Sequence, residues 1–190
     1  MELLKKRIVE EGIVLPGNVL KVDSFLNHQI DPHLSVAMGK EFARLFGDRK
    51  IDRVLTIEAS GIAIGLTTAL TLDVPLVFAR KKKSVLLQEE AYATDVFSYT
   101  KKTTSTITVL KKFLPAGENV LIVDDFLANG DASIGLAKLV EAAGSKVAGV
   151  GIVVEKAFQQ GHARLVEKGY DVKALASIKS LENCKIEFSD

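Results

Sequence analysis

Two hydrophobic periods take turns along this chain. The first twelve residues, MELLKKRIVEEG, set apolar positions among charges in the manner of an amphipathic helix. Gly12 and the Pro16-Gly17 pair break it, and Asn18–Val22 reads as a short strand. Helical spacing returns from about Leu34 to Phe46, with Met38, Phe42 and Leu45 on one face and Gly47-Asp48 as its stop. Strand and helix then alternate: strand Arg53–Ile57, helix Ile62–Leu72, strand Pro75–Ala79, strand Val120–Val123, helix Asp131–Ala143, strand Val147–Val154. Such alternation predicts an α/β fold with a mainly parallel open sheet, helices on its flanks and right-handed crossovers.

Two regions depart from this rhythm. Residues 81–108 are polar and rich in Lys, Ser and Thr, with strand-like pieces at Asp95–Tyr99 and Ser105–Val109. Residues 13–33 and 171–190 carry short strand fragments suited to a small hood. The expected organisation is one domain over 1–190, with a core of about 34–170, that hood, and a flexible flap at about 81–108.

Composition narrows the class. Apolar residues at 47% with 26% charged describe a soluble globular chain, and a net charge of +1 offers no bulk attraction to nucleic acid or an anionic membrane. The N-terminus lacks the apolar centre of a signal peptide, and no apolar run approaches the ~20 residues of a membrane span. A lone cysteine, Cys184, cannot close an internal disulfide, in keeping with a cytoplasmic location, and reads as a packing residue. His28, His33 and His162 show no metal-ligand spacing, so no metal site built by protein alone is expected.

An open parallel sheet binds ligands beyond the carboxyl ends of its strands. Four loops therefore matter: those after Ile57, Ala79, Val123 and Val154. The third is the most informative. Val120–Val123 is followed at once by Asp124 and Asp125, then by a small-residue turn at Gly130 and a new helix. A strand that leads through a turn into a helix leaves backbone N–H groups free for an anion. Two acids beside that anion site suit a ligand carrying phosphate and hydroxyls together, such as a phosphorylated sugar. The loop after Ile57 (Glu58-Ala59-Ser60-Gly61-Ile62) is a second helix start able to hold an anion. The loop after Ala79 supplies four consecutive cations, Arg80-Lys81-Lys82-Lys83.

The segment VLIVDDFLANGDA (120–132) resembles the phosphoribosyl-pyrophosphate (PRPP) signature of type I phosphoribosyltransferases. That resemblance implies the type I phosphoribosyltransferase fold and gives the loops roles. Asp124 and Asp125 face the ribose hydroxyls as the catalytic pair, and Ala128, Asn129, Gly130, Asp131 and Ala132 cradle the 5′-phosphate. Ala59 and Ser60 form the pyrophosphate loop, with Arg80 and Lys81 near the leaving pyrophosphate. Tyr92 and Ser98–Lys101 belong to a flap that excludes water. Mg²⁺ is delivered with PRPP. Three positions depart from the family's pattern. Asn129 stands for the usual Thr, Ala132 for a second hydroxyl residue, and Asp131 adds a negative charge beside the phosphate, for which Asn129 and Ser133 are candidate replacement donors.

Lys156, after the fourth strand, resembles the lysine with which members acting on 6-oxopurines reach the purine O6. An ammonium facing the 6-amino group of adenine would set donor against donor. The stretch GNVLKVDSFLNHQ (17–29) resembles the hood of bacterial members that act on xanthine, and the likeness runs along essentially the whole chain. It implies base contacts at Leu20, over the ring face, and Asn27, at the O2 and N3–H edge. Ala128 stands where many members carry a third acid, so no general base is named. The resemblance implies transfer of a phosphoribosyl group from PRPP to xanthine, with xanthine and PRPP as partners and a homodimer as the assembly. Alternatives are a hypoxanthine/guanine enzyme, a non-catalytic PRPP-sensing regulator and a receiver-type phosphodomain.

Overall fold

The computed structural model describes residues 1–81, 90–98 and 103–189. In chain order the elements are α1 (Glu2–Glu11), β1 (Ile13–Leu15), β2 (Val19–Lys21), α2 (Pro32–Leu45), β3 (Arg53–Ile57), α3 (Gly61–Leu72) and β4 (Leu76–Ala79). There follow β5 (Ala91–Ser98), β6 (Thr103–Leu110), β7 (Asn119–Leu127), α4 (Asp131–Ala142), β8 (Lys146–Lys156), α5 (Gly161–Glu167), β9 (Val172–Ser180) and β10 (Glu187–Phe188). Six strands form one sheet in the order β10-β9-β8-β7-β3-β4. β9, β8, β7, β3 and β4 are mutually parallel, and β10 runs antiparallel at the edge.

Alternation along β7 builds the core on both sheet faces. Leu121 and Val123 join α1, the hood residues Phe25 and Leu26, and Met38, Phe42 and Phe46 of α2. Val120 and Ile122 face the other way, onto Leu136, Leu139 and Val140 of α4 and Leu165 of α5. Val120–Val123 are completely buried on both faces, which is why they read as a continuous apolar run rather than an alternating one.

Several expectations are met and several corrected. The strands and helices of the alternating core lie where the periodicity puts them. The hood's strand is one arm of a hairpin, β1–β2, followed by a single π-helical turn at Asp23–Asn27. Residues 171–190, expected in the hood, instead supply β9 and β10 to the main sheet. Lys and Ser alternate with apolar residues in VKALASIKS, and the pattern acquires meaning only once β8 is present to pair with it. The strand-like pieces of the flap are a longer antiparallel hairpin, β5–β6, whose Val96, Ile107 and Val109 are buried in the α4-side core. A side chain on Gly135 of α4 would stand 2.4 Å from Val96, so that glycine lets the hairpin lie directly on the helix. Lys82, Lys83 and 99–101, singled out for the flap, lie outside the described residues. Cys184 is exposed and not a packing residue. Among the described residues, no helix is long and apolar enough to cross a membrane.

Candidate active site

Strand order reverses between β3 and β7. From β3 the chain steps outward to β4, and it resumes on the opposite side with β7, β8 and β9. Register opens a crevice at that reversal. Pairing of β3 with β7 ends at Leu55–Ile122, yet β3 pairs with β4 as far as Ile57–Ala79, and β7 with β8 as far as Leu127–Glu155. The two central strands thus splay before they end, at the place where doubly wound sheets bind ligands.

A cavity of about 240 Å³ fills the splay. Asp124 and Asp125, all of 128–132, Ser60 and Lys81 line it, together with Val96, Phe97 and Ser105 of the β5–β6 hairpin. The hairpin's share of the wall is not visible in any local motif. Here the strand differs from expectation: β7 does not stop at Val123 but carries both aspartates within it.

The two acids are unlike. Asp124 is 3% exposed and its Oδ1 accepts the backbone N–H of Asp125 at 3.0 Å. Burial, and next the charge of Asp125, hold the Asp124 carboxyl well above the usual carboxylate range. Asp125 is only half-buried at the cavity wall.

The turn after β7 is an anion site by construction. Gly130 takes φ +84°, a conformation side chains disfavour, and precedes α4 without any side-chain cap on that helix. The first N–H groups of α4 are left without intrahelical partners, and Asp131, Ala132 and Ser133 line the cavity. The Ser133 hydroxyl is buried with no hydrogen-bond partner. Arg164 of α5, which no sequence signal marks, donates from one Nη1 to the Asn129 carbonyl and to Asp131 Oδ1, the latter at 3.1 Å. The negative charge of Asp131 is therefore paired.

The loop after β3 contains a cis peptide bond between Glu58 and Ala59 and leads directly into α3. Glu58 Oε1 accepts the Lys81 backbone N–H at 2.7 Å, which ties the loops after β3 and β4 together. Ala59 lies in this turn but does not line the cavity; its neighbour Ser60 does. Arg80 does not line the cavity. Its backbone is bridged to Thr108 of β6, its guanidinium lies 3.8 Å from Glu58, and it flanks a separate apolar groove between β4 and β6.

The expected base contacts are not gathered into the same cavity. Lys156, the last residue of β8, donates to the Asn18 carbonyl in the β1–β2 turn at 2.9 Å, and burial pushes its ammonium pKa down. Leu20 packs into the core and Asn27 is exposed. On the opposite side of this strand end, buried Glu155 meets His162 Nδ1 at 2.6 Å. Among the described residues, no three His, Cys, Asp or Glu side chains come together as a metal-binding group.

Comparison with known proteins places this geometry in context. Residues 29–183 match the model of the phosphoribosyl transferase domain. A xanthine phosphoribosyltransferase of Lactobacillus delbrueckii subsp. bulgaricus is 58% identical over 189 residues, covering 100% of both chains. One from Listeria monocytogenes is 56% identical over 99% of this chain and 98% of its own. The crystal structure of adenine phosphoribosyltransferase from Rhodothermus marinus is similar with a TM-score of 0.76 and 24% identity, over 94% of this chain and 100% of that one. That from Thermoanaerobacter pseudethanolicus gives a TM-score of 0.69 at 29% identity, over 77% and 82%.

Proposed function

The chain belongs to the phosphoribosyl transferase domain family, and on that premise we propose that it moves the 5-phosphoribosyl group of PRPP onto xanthine. The products are xanthosine 5′-monophosphate and pyrophosphate, a purine-salvage reaction. One observation carries the sugar-phosphate half: adjacent acids and an uncapped helix N-terminus share one cavity at the reversal of strand order. The choice of base is supported by relatives named xanthine phosphoribosyltransferase at 52–58% identity along the full chain. Likeness to the adenine enzyme of Rhodothermus marinus, at 24% identity, concerns the fold alone.

In this reading the 5′-phosphate sits on the backbone of 128–132, and Asp124 and Asp125 accept from the ribose hydroxyls. Positive charge developing at C1 in an oxocarbenium-like transition state is offset by the nearby Asp125 carboxylate. Pyrophosphate leaves toward the Ala59-Ser60 turn and Lys81, whose cation stabilises the accumulating negative charge. Arg80, 3.8 Å from Glu58 of that same turn, adds a second cation on the pyrophosphate side. Lys156 donates to the purine O6, Asn27 meets the O2 and N3–H edge, and Leu20 packs against the ring. The β5–β6 hairpin forms the wall that keeps water from the reacting carbon. Asp124 and Asp125 carry hard oxygen donors of the kind that would hold an Mg²⁺ delivered with PRPP, and such a cation would supply neutralisation of phosphate charge. The whole chain, 1–190, is read as one domain that works in the cytoplasm as a homodimer, an assembly that light scattering checks.

Purified protein incubated with PRPP, Mg²⁺ and each purine in turn provides the test, read as pyrophosphate release. Xanthine is expected to turn over fastest. Faster release with hypoxanthine or guanine would move the specificity, and no release with any base despite PRPP binding would make the protein a sensor.

A further inference from the structure

Asp131 sets a carboxylate into the loop assigned to a phosphate dianion, and like charges at such range repel. α5 meets that problem. Arg164 Nη1 donates to Asp131 Oδ1 at 3.1 Å and also to the carbonyl of Asn129. One residue before Asn129, the Ala128 carbonyl accepts the Gly161 N–H at 2.9 Å. A side chain on Gly130 would come within 3.1 Å of Gly161, so the loop and the start of α5 touch backbone to backbone.

We propose that Arg164 is a positioning residue for the phosphate loop: it cancels the Asp131 charge and holds the loop's N–H groups toward the cavity. This rests on the phosphoribosyl-transfer reading above. The second half of the argument is peptide geometry. In a planar trans peptide the carbonyl of one residue and the N–H of the next point in opposite directions. With the carbonyls of Ala128 and Asn129 drawn toward α5, the N–H groups of Asn129 and Gly130 turn away from it, and both residues line the cavity. Loss of Arg164 would free the Asn129 carbonyl to rotate and would unmask the carboxylate of Asp131. Both changes weaken phosphate binding, and neither touches the purine.

Titration calorimetry with PRPP and Mg²⁺ on the wild-type chain, Arg164→Met, and Arg164→Met with Asp131→Asn tests this, alongside steady-state kinetics. Wild type should bind. Arg164→Met should bind about tenfold more weakly, the loss of one charge-assisted contact. Its KM for PRPP should rise by a similar factor while kcat and the KM for the base stay within about twofold of wild type. Adding Asp131→Asn should recover part of the affinity by removing the unmasked charge. Wild-type binding with an unchanged Arg164→Met overturns the positioning role and leaves the proposed function standing. A uniform loss of kcat and of both KM values would mark general damage and overturns it equally. No binding by wild type brings down both. Failure of Asp131→Asn to recover any affinity refutes the charge-cancelling half.

Discussion

The backbone N–H of Asp125 donates to Asp124 Oδ1 at 3.0 Å, and the two neighbouring carboxylates it joins are unequally buried. Asp124 turns inward and is fully buried against the turn into α3, whereas Asp125 remains half-buried at the cavity wall. Asp125→Asn should therefore leave the fold intact, judged by circular dichroism, and lower turnover by about a hundredfold through loss of a carboxylate that acts in the transition state. A near-normal rate would remove Asp125 from the reaction.

Asp124 predicts a pH-dependent stability of opposite sense to the usual carboxylate. Its folded pKa is raised by burial and by the charge of Asp125. The folded chain thus holds a proton that the unfolded chain gives up, and the associated stability is full below the ordinary carboxylate value and is lost as pH rises. Asp124→Asn, which keeps the acceptor for the Asp125 N–H but carries no charge, should raise the Tm of ligand-free protein at pH 8 by about 3 °C. That gain should shrink toward zero near pH 4. Thermal scans at the two pH values decide it; an equal gain at both would detach it from ionisation.

What the sequence made legible follows from how local each signal is. The four apolar residues 120–123, the paired acids and Gly130 lie within a dozen residues; the apolar four are strand core, and the acids and Gly130 line one cavity. The end of β7 was not legible, because two aspartates look like a strand terminus until β8 is seen pairing out to Leu127–Glu155. Arg164 stands 33 residues beyond Asp131 and belongs to no motif, so only the packing of α5 reveals it. The backbone bridge of Arg80 to Thr108 of β6 was not legible for the same reason, since that pairing is remote in sequence. Burial of Leu20 likewise depends on α1 and α2 being folded over the hood.

Lys156, at the end of β8, reaches the hood by donating to the Asn18 carbonyl. Lys156→Ala should raise the KM for the purine far more than that for PRPP, by about tenfold or more, since an ammonium donor to O6 is lost. Burial depresses the ammonium pKa, so the lysine loses its proton at a lower pH than a free side chain would. KM for the base should therefore begin to rise on the alkaline side before ordinary lysine titrates, and kinetics in a pH series would reveal it. Equal effects on both substrates would mean that Lys156 does not face the base.

Gly130 couples backbone conformation to function. At φ +84°, and with the Gly161 backbone 3.1 Å from where a Cβ would stand, Gly130→Ala is penalised twice. The expected cost is about 1–3 kcal/mol of stability, with a raised KM for PRPP because the phosphate loop must shift. Denaturant unfolding and PRPP kinetics should move together. A stability loss with unchanged PRPP kinetics would show that the loop's shape is immaterial to binding.

The far end of the sheet supplies a control on all of these. Arg53, opening β3, donates from Nε and Nη2 to the two oxygens of Glu118 at 2.6 and 2.8 Å, a partly buried fork just ahead of β7. Next to it, Asp52 accepts the backbone and side-chain donors of Asn119 and pairs with Lys50, which brings its pKa down to about 2. Both contacts bind β3 to the start of β7, and so fix the two strands whose other ends form the crevice. Glu118→Ala leaves the Arg53 guanidinium half-satisfied and should cost about 1–3 kcal/mol, while kcat and both KM values stay near wild type. Asp52, with its depressed pKa, contributes stability above the ordinary carboxylate range that is lost as pH falls toward 2. Acid unfolding of Asp52→Asn should then begin from a lower stability at neutral pH but converge with wild type at the acid end. Altered kinetics in Glu118→Ala would mean that strand spacing at this end propagates to the crevice, which the rigidity of a paired parallel sheet argues against.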